Sequence, residues 1–217
     1  MSEEVTLKIN EIFYSIQGES LYAGKPTVFV RTSECNLRCT WCDTKYAYWK
    51  GNLMTPDQIL EEIKKHDTEY VCITGGEPLG QRGTYPLMRQ LLSLGYKVSL
   101  ETNGSFSIKD VPLDVVKVID IKCPESGESD AMAWENFDLA RKHDQFKFVV
   151  ASYKDFEWAE QICREHKLHE TCTVLYSPAY GKVKPAELAR WILDSNAKVT
   201  MQMQLHKEIW GPNERGV

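Results

Sequence analysis

Short runs of β-branched and aromatic residues alternate along this chain with amphipathic stretches, the order that builds a parallel sheet with helical crossovers. The runs predict strands at 27–31, 70–74, 97–101, 115–121, 146–150, 171–176 and 198–205. Between them the helices mark their own ends. Thr55-Pro56-Asp57-Gln58 is a capping box with proline at the first helical position, and Ile59 and Ile63 follow at helical spacing, so a helix to about residue 66 is expected. The stretch from Pro86 stops at Gly95, the residue type expected just past a helix C-terminus. Further helices are predicted at 134–143, 153–166 and 185–194.

At 217 residues, with no Gly/Ser linker, low-complexity tract or internal repeat, the chain reads as one domain spanning 1–217. A closed eight-fold barrel usually takes ~250 residues, and this chain must also house a cysteine-bearing loop and the segment around Ser126. The expected fold class is α/β: an incomplete, open TIM-like (β/α) barrel of about six to seven mostly parallel strands with a reduced helical shell. Composition narrows the function. With 42% apolar and 26% charged residues and no apolar run near the ~18 residues of a membrane helix, a spanning protein is excluded. A net charge of −5 leaves no bulk attraction for nucleic acid, so any anionic ligand must be held locally. Met1-Ser2-Glu3-Glu4-Val5 is acidic where a secretory leader would be basic and then apolar, which makes the cytoplasm the expected location.

Three of the seven cysteines fall in Cys35-Asn36-Leu37-Arg38-Cys39-Thr40-Trp41-Cys42, directly after the predicted strand ending at Arg31. They are too crowded for a disulfide framework in a reducing compartment and read as ligands. A loop there sits at the C-terminal mouth of a barrel. Three thiolates can hold three irons of a 4Fe-4S cube and leave the fourth iron without a protein ligand. That iron can be chelated by the amino and carboxylate groups of S-adenosylmethionine and pass an electron to its sulfonium. A structural zinc competes, but it wants a fourth Cys or His at finger spacing, and His166 and His169 lie far downstream.

Other polar groups fall at the C-terminal ends of predicted strands: Thr74 with Gly75-Gly76-Glu77, Glu101-Thr102-Asn103-Gly104, and Asp120 with Lys122. In a barrel those ends converge on one mouth, which argues for a single site. The paired glycines let backbone approach a ligand, with Glu77 accepting from its ammonium; an ordinary Gly-Gly turn with an exposed Glu is the plainer alternative. Lys147 interrupts an apolar strand and either points into the barrel or snorkels.

C-x3-C-x2-C with an aromatic before the last cysteine resembles the radical S-adenosylmethionine superfamily. Within it, the chain resembles the 7-carboxy-7-deazaguanine synthases of queuosine and 7-deazapurine biosynthesis nearly end to end. The matching pieces are Ile16-Gln17-Gly18-Glu19, Phe29-Val30-Arg31, Cys42-Asp43-Thr44-Lys45, Ile73-Thr74-Gly75-Gly76-Glu77-Pro78 and Glu101-Thr102-Asn103-Gly104. Asp120-Ile121-Lys122-Cys123-Pro124, Ser126-Gly127-Glu128 and Gln204-Leu205-His206-Lys207 complete them. The cysteine spacing and Gly-Gly-Glu-Pro mark only the superfamily. The Gln-Gly-Glu segment, Cys-Asp-Thr and Gln-Leu-His-Lys together mark the synthase.

The resemblance implies a lyase that converts 6-carboxy-5,6,7,8-tetrahydropterin to 7-carboxy-7-deazaguanine with loss of ammonia, by hydrogen abstraction at C6 and ring contraction. It implies a 4Fe-4S cluster on Cys35, Cys39 and Cys42, S-adenosylmethionine used catalytically, and Mg2+ on the Thr44 hydroxyl. The S-adenosylmethionine contacts it implies are Trp41, Cys42, Asp43, Gly76, Asp120, Ile121 and Lys122, to which the strand-end reading adds Glu77 and Glu101. Its substrate contacts are Ile16, Gln17, Gly18, Glu19, Arg31, Thr74, His206 and Val217. On chemistry alone Thr44 is a capping hydroxyl and Gln17-Gly18-Glu19 a polar turn, with a frayed terminus the plain alternative for Val217. His206 either bonds substrate or packs, and Arg31, sharing a strand face with Thr27 and Phe29, is expected in a buried role with a surface ion pair as the alternative. An external one-electron reductant such as flavodoxin and a homodimer are also implied, with no nucleic-acid or membrane partner. Two rivals stand. An activase making a glycyl radical on a partner protein would lack the Gln-Gly-Glu and Gln-Leu-His-Lys segments, and a zinc-binding nucleic-acid module would want a basic stripe this chain lacks.

Overall fold

Side chains alternate across each strand, and here the alternation sorts apolar from polar. In β2 (Pro26–Thr32) Val28 and Val30 are fully buried in the core, whereas Phe29 and Arg31 face a cavity. The computed structural model describes residues 5–217, so the acidic Met1-Ser2-Glu3-Glu4 start lies outside the described residues.

The strands are β1 (Leu7–Ile16), β2, β3 (Asn52–Met54), β4 (Tyr70–Gly75), β5 (Lys97–Thr102), β6 (Val116–Ile121), β7 (Gln145–Val150), β8 (Thr173–Pro178) and β9 (Thr200–Met201). They form one sheet in the order β3-β1-β2-β4-β5-β6-β7-β8-β9. From β2 through β9 every neighbouring pair is parallel; β1 runs antiparallel to both β2 and β3. The two end strands do not pair, so the sheet is the open, mostly parallel barrel fragment that the sequence predicts.

The helices are α1 (Pro56–Ile63), α2 (Thr84–Ser93), α3 (Asn136–Leu139), α4 (Tyr153–Glu165), α5 (Leu168–Thr171), α6 (Pro185–Ser195) and α7 (Leu205–Trp210). The expected capping box forms: Gln58 N donates to Thr55 Oγ1 at 3.2 Å and Thr55 N to Gln58 Oε1 at 2.9 Å. Ile59 and Ile63 of α1 and Leu87 and Leu91 of α2 are fully buried against the outer sheet face, with Ile73, Leu100, Ile119 and Phe146. Each of these large side chains contributes roughly 1.5–3 kcal/mol by leaving water. The inner face keeps the polar residues and becomes the cavity wall.

Several expected elements are corrected. The antiparallel pair β1 and β3 was not expected. The strand predicted at 198–205 shrinks to Thr200–Met201, and Leu205 opens α7 instead. The helix predicted at 134–143 is cut to Asn136–Leu139, because Ala140 turns extended and the Asp144 carboxylate takes the Arg141 amide at 2.8 Å and the Lys117 amide at 2.9 Å. β8 starts at Thr173, since residues 168–171 close a helical turn.

Candidate active site

The inner sheet face, the loop after β2 and the C-terminal residues enclose a cavity of about 650 Å³. Cys35, Cys39 and Cys42 lie on its wall, half-buried, while Cys72, Cys123, Cys163 and Cys172 are buried in the core. Burial pushes the free Cys39 thiol up to about 11. The loop is pinned on three sides. The Thr40 amide and hydroxyl donate to the Ser126 and Glu125 carbonyls, the Arg38 guanidinium donates to the carbonyls of Cys35 and Leu37, and Asn103 Nδ2 reaches Cys35 Sγ at 3.5 Å.

The glycines at the end of β4 seat this loop. Gly75 has φ +137°, and a Cβ on Gly76 would lie 1.8 Å from the Glu34 carbonyl oxygen, so only glycine lets β4 touch the chain entering the cysteine loop. Glu77 then turns inward. Its carboxylate is 2% exposed and accepts from Thr102 Oγ1, Asn103 N and Leu79 N at 2.8, 2.7 and 2.9 Å, and burial raises its pKa. The ammonium contact expected of Glu77 is corrected: the carboxylate is absent from the cavity wall and instead holds Asn103. The Ile121 side chain alternates to the outer face and joins the core, which leaves only its backbone for a cofactor contact.

The other strand ends converge as expected. Glu101 accepts from Thr74 Oγ1 at 2.8 Å and Gln17 Nε2 at 3.3 Å. Lys122 pairs with Asp120 at 2.8 Å, and Lys147 with Glu19 at 2.6 Å, so Lys147 points into the barrel. Asp120 Oδ1 is buried with no hydrogen-bond partner. Desolvation of that atom is unfavourable until a ligand donates to it.

Across the cavity the segment after β1 meets the C-terminal residues. The Leu205 amide donates to the Gly18 carbonyl at 3.1 Å, and a Cβ on Gly18 would collide with the His206 ring. Gln204 Nε2 donates to Glu19 Oε1 at 2.9 Å; Lys207 Nζ lies 2.7 Å from Asp43 Oδ2 and holds that carboxyl far below the usual range against the opposing effect of burial. Thr44 Oγ1 donates to Asp43 Oδ1. Arg31 pairs with Glu11 at 2.7 Å beside the stacked Phe13 and Phe29 rings, and Tyr46 Oη donates to the same carboxylate. Ile16, Trp41, His206 and Val217 also line the cavity.

Sequence reasoning placed Asn103 at a strand end without giving it a role, passed over Tyr46 on the cavity wall and Glu11 behind it, and left Lys147 undecided. The clue for Asn103 and Lys147 was their place at the end or on the inner face of a strand; Glu11 and Tyr46 carry no such signal. Among the described residues no three His, Cys, Asp or Glu side chains close on a single ion. Three soft thiol donors on the wall, one already receiving an amide N–H, fit an iron-sulfur cube, and the unpartnered Asp120 oxygen fits a hydrogen-bonding cofactor beside it.

The model of the Radical SAM superfamily matches residues 29–118. Proteins named 7-carboxy-7-deazaguanine synthase from Koribacter versatilis and Chlorobaculum tepidum are 42% and 43% identical to this chain, covering 97% and 100% of it and 100% of each relative. The chain belongs to the 7-carboxy-7-deazaguanine synthase family. It is accordingly a radical S-adenosylmethionine enzyme of that type, and the family implies a 4Fe-4S cluster and S-adenosylmethionine. The fold agrees: the crystal structure of QueE from Escherichia coli, 21% identical, superposes with a TM-score of 0.77 over 93% of this chain and 95% of that one. Among the described residues no helix is long and apolar enough to cross a membrane.

Proposed function

We propose that this chain converts 6-carboxy-5,6,7,8-tetrahydropterin to 7-carboxy-7-deazaguanine and ammonia in queuosine and 7-deazapurine biosynthesis. The observation that supports it best is the meeting of the Gln17-Gly18-Glu19 segment, the Gln204 to Lys207 segment and the three cysteines on one cavity. A 4Fe-4S cube with S-adenosylmethionine supplies one-electron cleavage of the sulfonium and a carbon-centred radical able to take the C6 hydrogen.

Cys35, Cys39 and Cys42 hold three irons, and the Asn103 amide steadies Cys35. Trp41, Asp43, Gly76, Glu101, Asp120, Lys122 and the Ile121 backbone hold S-adenosylmethionine, with Glu77 acting through Asn103. Opposite them, Glu19 and the Gln17 amide take the donor and acceptor edge of the pterin, Thr74 and His206 add hydrogen bonds, and Ile16 and Gly18 shape the wall. Arg31 offers its guanidinium to the substrate carboxylate; the Glu11 contact uses only its Nε atom and leaves the terminal nitrogens for a second partner. The Val217 end closes the cavity near the ring. Thr44 suits Mg2+ as a single protein oxygen, since that ion keeps several waters and substrate oxygens in its shell. Together these residues exclude water and alternative hydrogen donors, and they hold C6 where hydrogen can be taken and returned.

The reading includes an external one-electron reductant such as flavodoxin, a homodimer and cytoplasmic location, with residues 1–217 as one domain; the single sheet supports the last of these. It is tested by incubating anaerobically reconstituted protein with the carboxytetrahydropterin, Mg2+, reductant and S-adenosylmethionine. Carboxydeazaguanine should accumulate with S-adenosylmethionine undiminished. S-adenosylmethionine consumed without deazaguanine refutes it.

A further inference from the structure

We propose that Lys147 couples the two ligand subsites, so that cofactor bound on the Asp120 side raises the affinity for substrate on the Glu19 side. The inference rests on the functional reading above and deepens it. Lys147 on β7 stands in register with Asp120 on β6, and its ammonium lies 2.6 Å from Glu19 Oε2 and 3.8 Å from Asp120 Oδ2. The three side chains are only 12%, 11% and 15% exposed, so solvent screens them little. One ammonium therefore serves two carboxylates that belong to different halves of the cavity.

The two carboxylates differ in what else they hold. Glu19 also accepts from Gln204 Nε2, whereas Asp120 has Lys122 on Oδ2 and nothing on its buried Oδ1. Glu101 faces the same ammonium from β5. A ligand that donates to Asp120 Oδ1 satisfies that carboxylate and weakens its pull on Lys147. The ammonium then commits to Glu19, which stays ionised and fixed to accept from an amino group of the substrate. Two ligands that each bias one shared charge are coupled, and the coupling is reciprocal.

The test is anaerobic titration calorimetry of iron-loaded protein with its cluster oxidised and no reductant present, so that nothing turns over. The carboxytetrahydropterin Kd is measured with and without saturating S-adenosylmethionine. Wild type should bind the pterin at least about fivefold tighter with S-adenosylmethionine present. In Lys147→Met, with folding checked by thermal unfolding, the ratio should fall below about twofold. If the methionine variant does not fold, Lys147→Gln removes the charge while still donating to Glu19, and the same criterion applies. A variant that keeps the wild-type ratio, or a wild type with a ratio of one, overturns the coupling. A wild type that binds neither ligand overturns the functional reading beneath it.

Discussion

Glu77 shows how far a residue's chemistry can be named without its direction being known. The sequence presents it as a carboxylate after two glycines, and a cavity-facing acceptor was the natural expectation. Pro78 starts a tight turn there, however, and the Glu77 side chain caps it by accepting from the Leu79 amide. Glu77→Ala leaves the Leu79 and Asn103 amides buried without partners. It should cost about 3 kcal/mol and lower Tm by about 6–12 °C in a melt of the unloaded protein; an unchanged Tm would show that the carboxylate holds nothing. The thiols, Asp120 and Glu101 were legible because their position at strand ends fixes the mouth they face. Glu11 and Tyr46 were not, because their meeting with Arg31 depends on a strand pairing that no local pattern announces. His206 has a further signature. Burial holds its imidazole below the ordinary 6.5, so the unfolded chain binds more protons and this residue erodes stability as pH falls through 6.5. Its ring protons should titrate in NMR with a midpoint below 6.5, and a midpoint above that value would place the ring in solvent or beside a dominant carboxylate.

Among the elements, a capping box and a terminal glycine announced α1 and α2, the helices α4 and α6 fell where helical stretches were predicted, and β-branched runs announced β2 and β4 to β7. β1 escaped because its inward and outward sets are blurred by a bulge between Ile9 and Glu11, after which Ile12-Phe13-Tyr14 is continuously apolar. β3 is three residues long, too short for any periodicity. The end of β4 and the cysteine loop form one packed unit through Gly76. Gly76→Ala, whose added Cβ would collide with the Glu34 carbonyl and crowd the Cys35 amide nitrogen at 3.1 Å, should therefore displace the loop and reduce the iron retained after anaerobic reconstitution by more than about half. Gly80→Ala, whose added Cβ meets nothing nearer than 3.8 Å, should retain iron like wild type. Equal iron in the two variants would show that the loop does not need the close approach.

On the scale of the whole molecule, the open parallel sheet followed from the alternation of strands and helices, while the length of chain suited an incomplete barrel. The contact between the two ends of the chain did not follow. Residues 17–19 and 204–207 join through Gln204, Leu205 and His206 across more than 180 positions of sequence, and only the fold brings them over the cavity. In the proposed function that enclosure surrounds three cysteines that would hold a cluster and leave one iron for the cofactor. The most direct check is the electron paramagnetic resonance spectrum of the reduced, iron-loaded protein before and after S-adenosylmethionine is added. One 4Fe-4S signal per chain whose shape shifts on addition is expected, and a protein without iron, or a signal that S-adenosylmethionine leaves unchanged, would contradict an open iron.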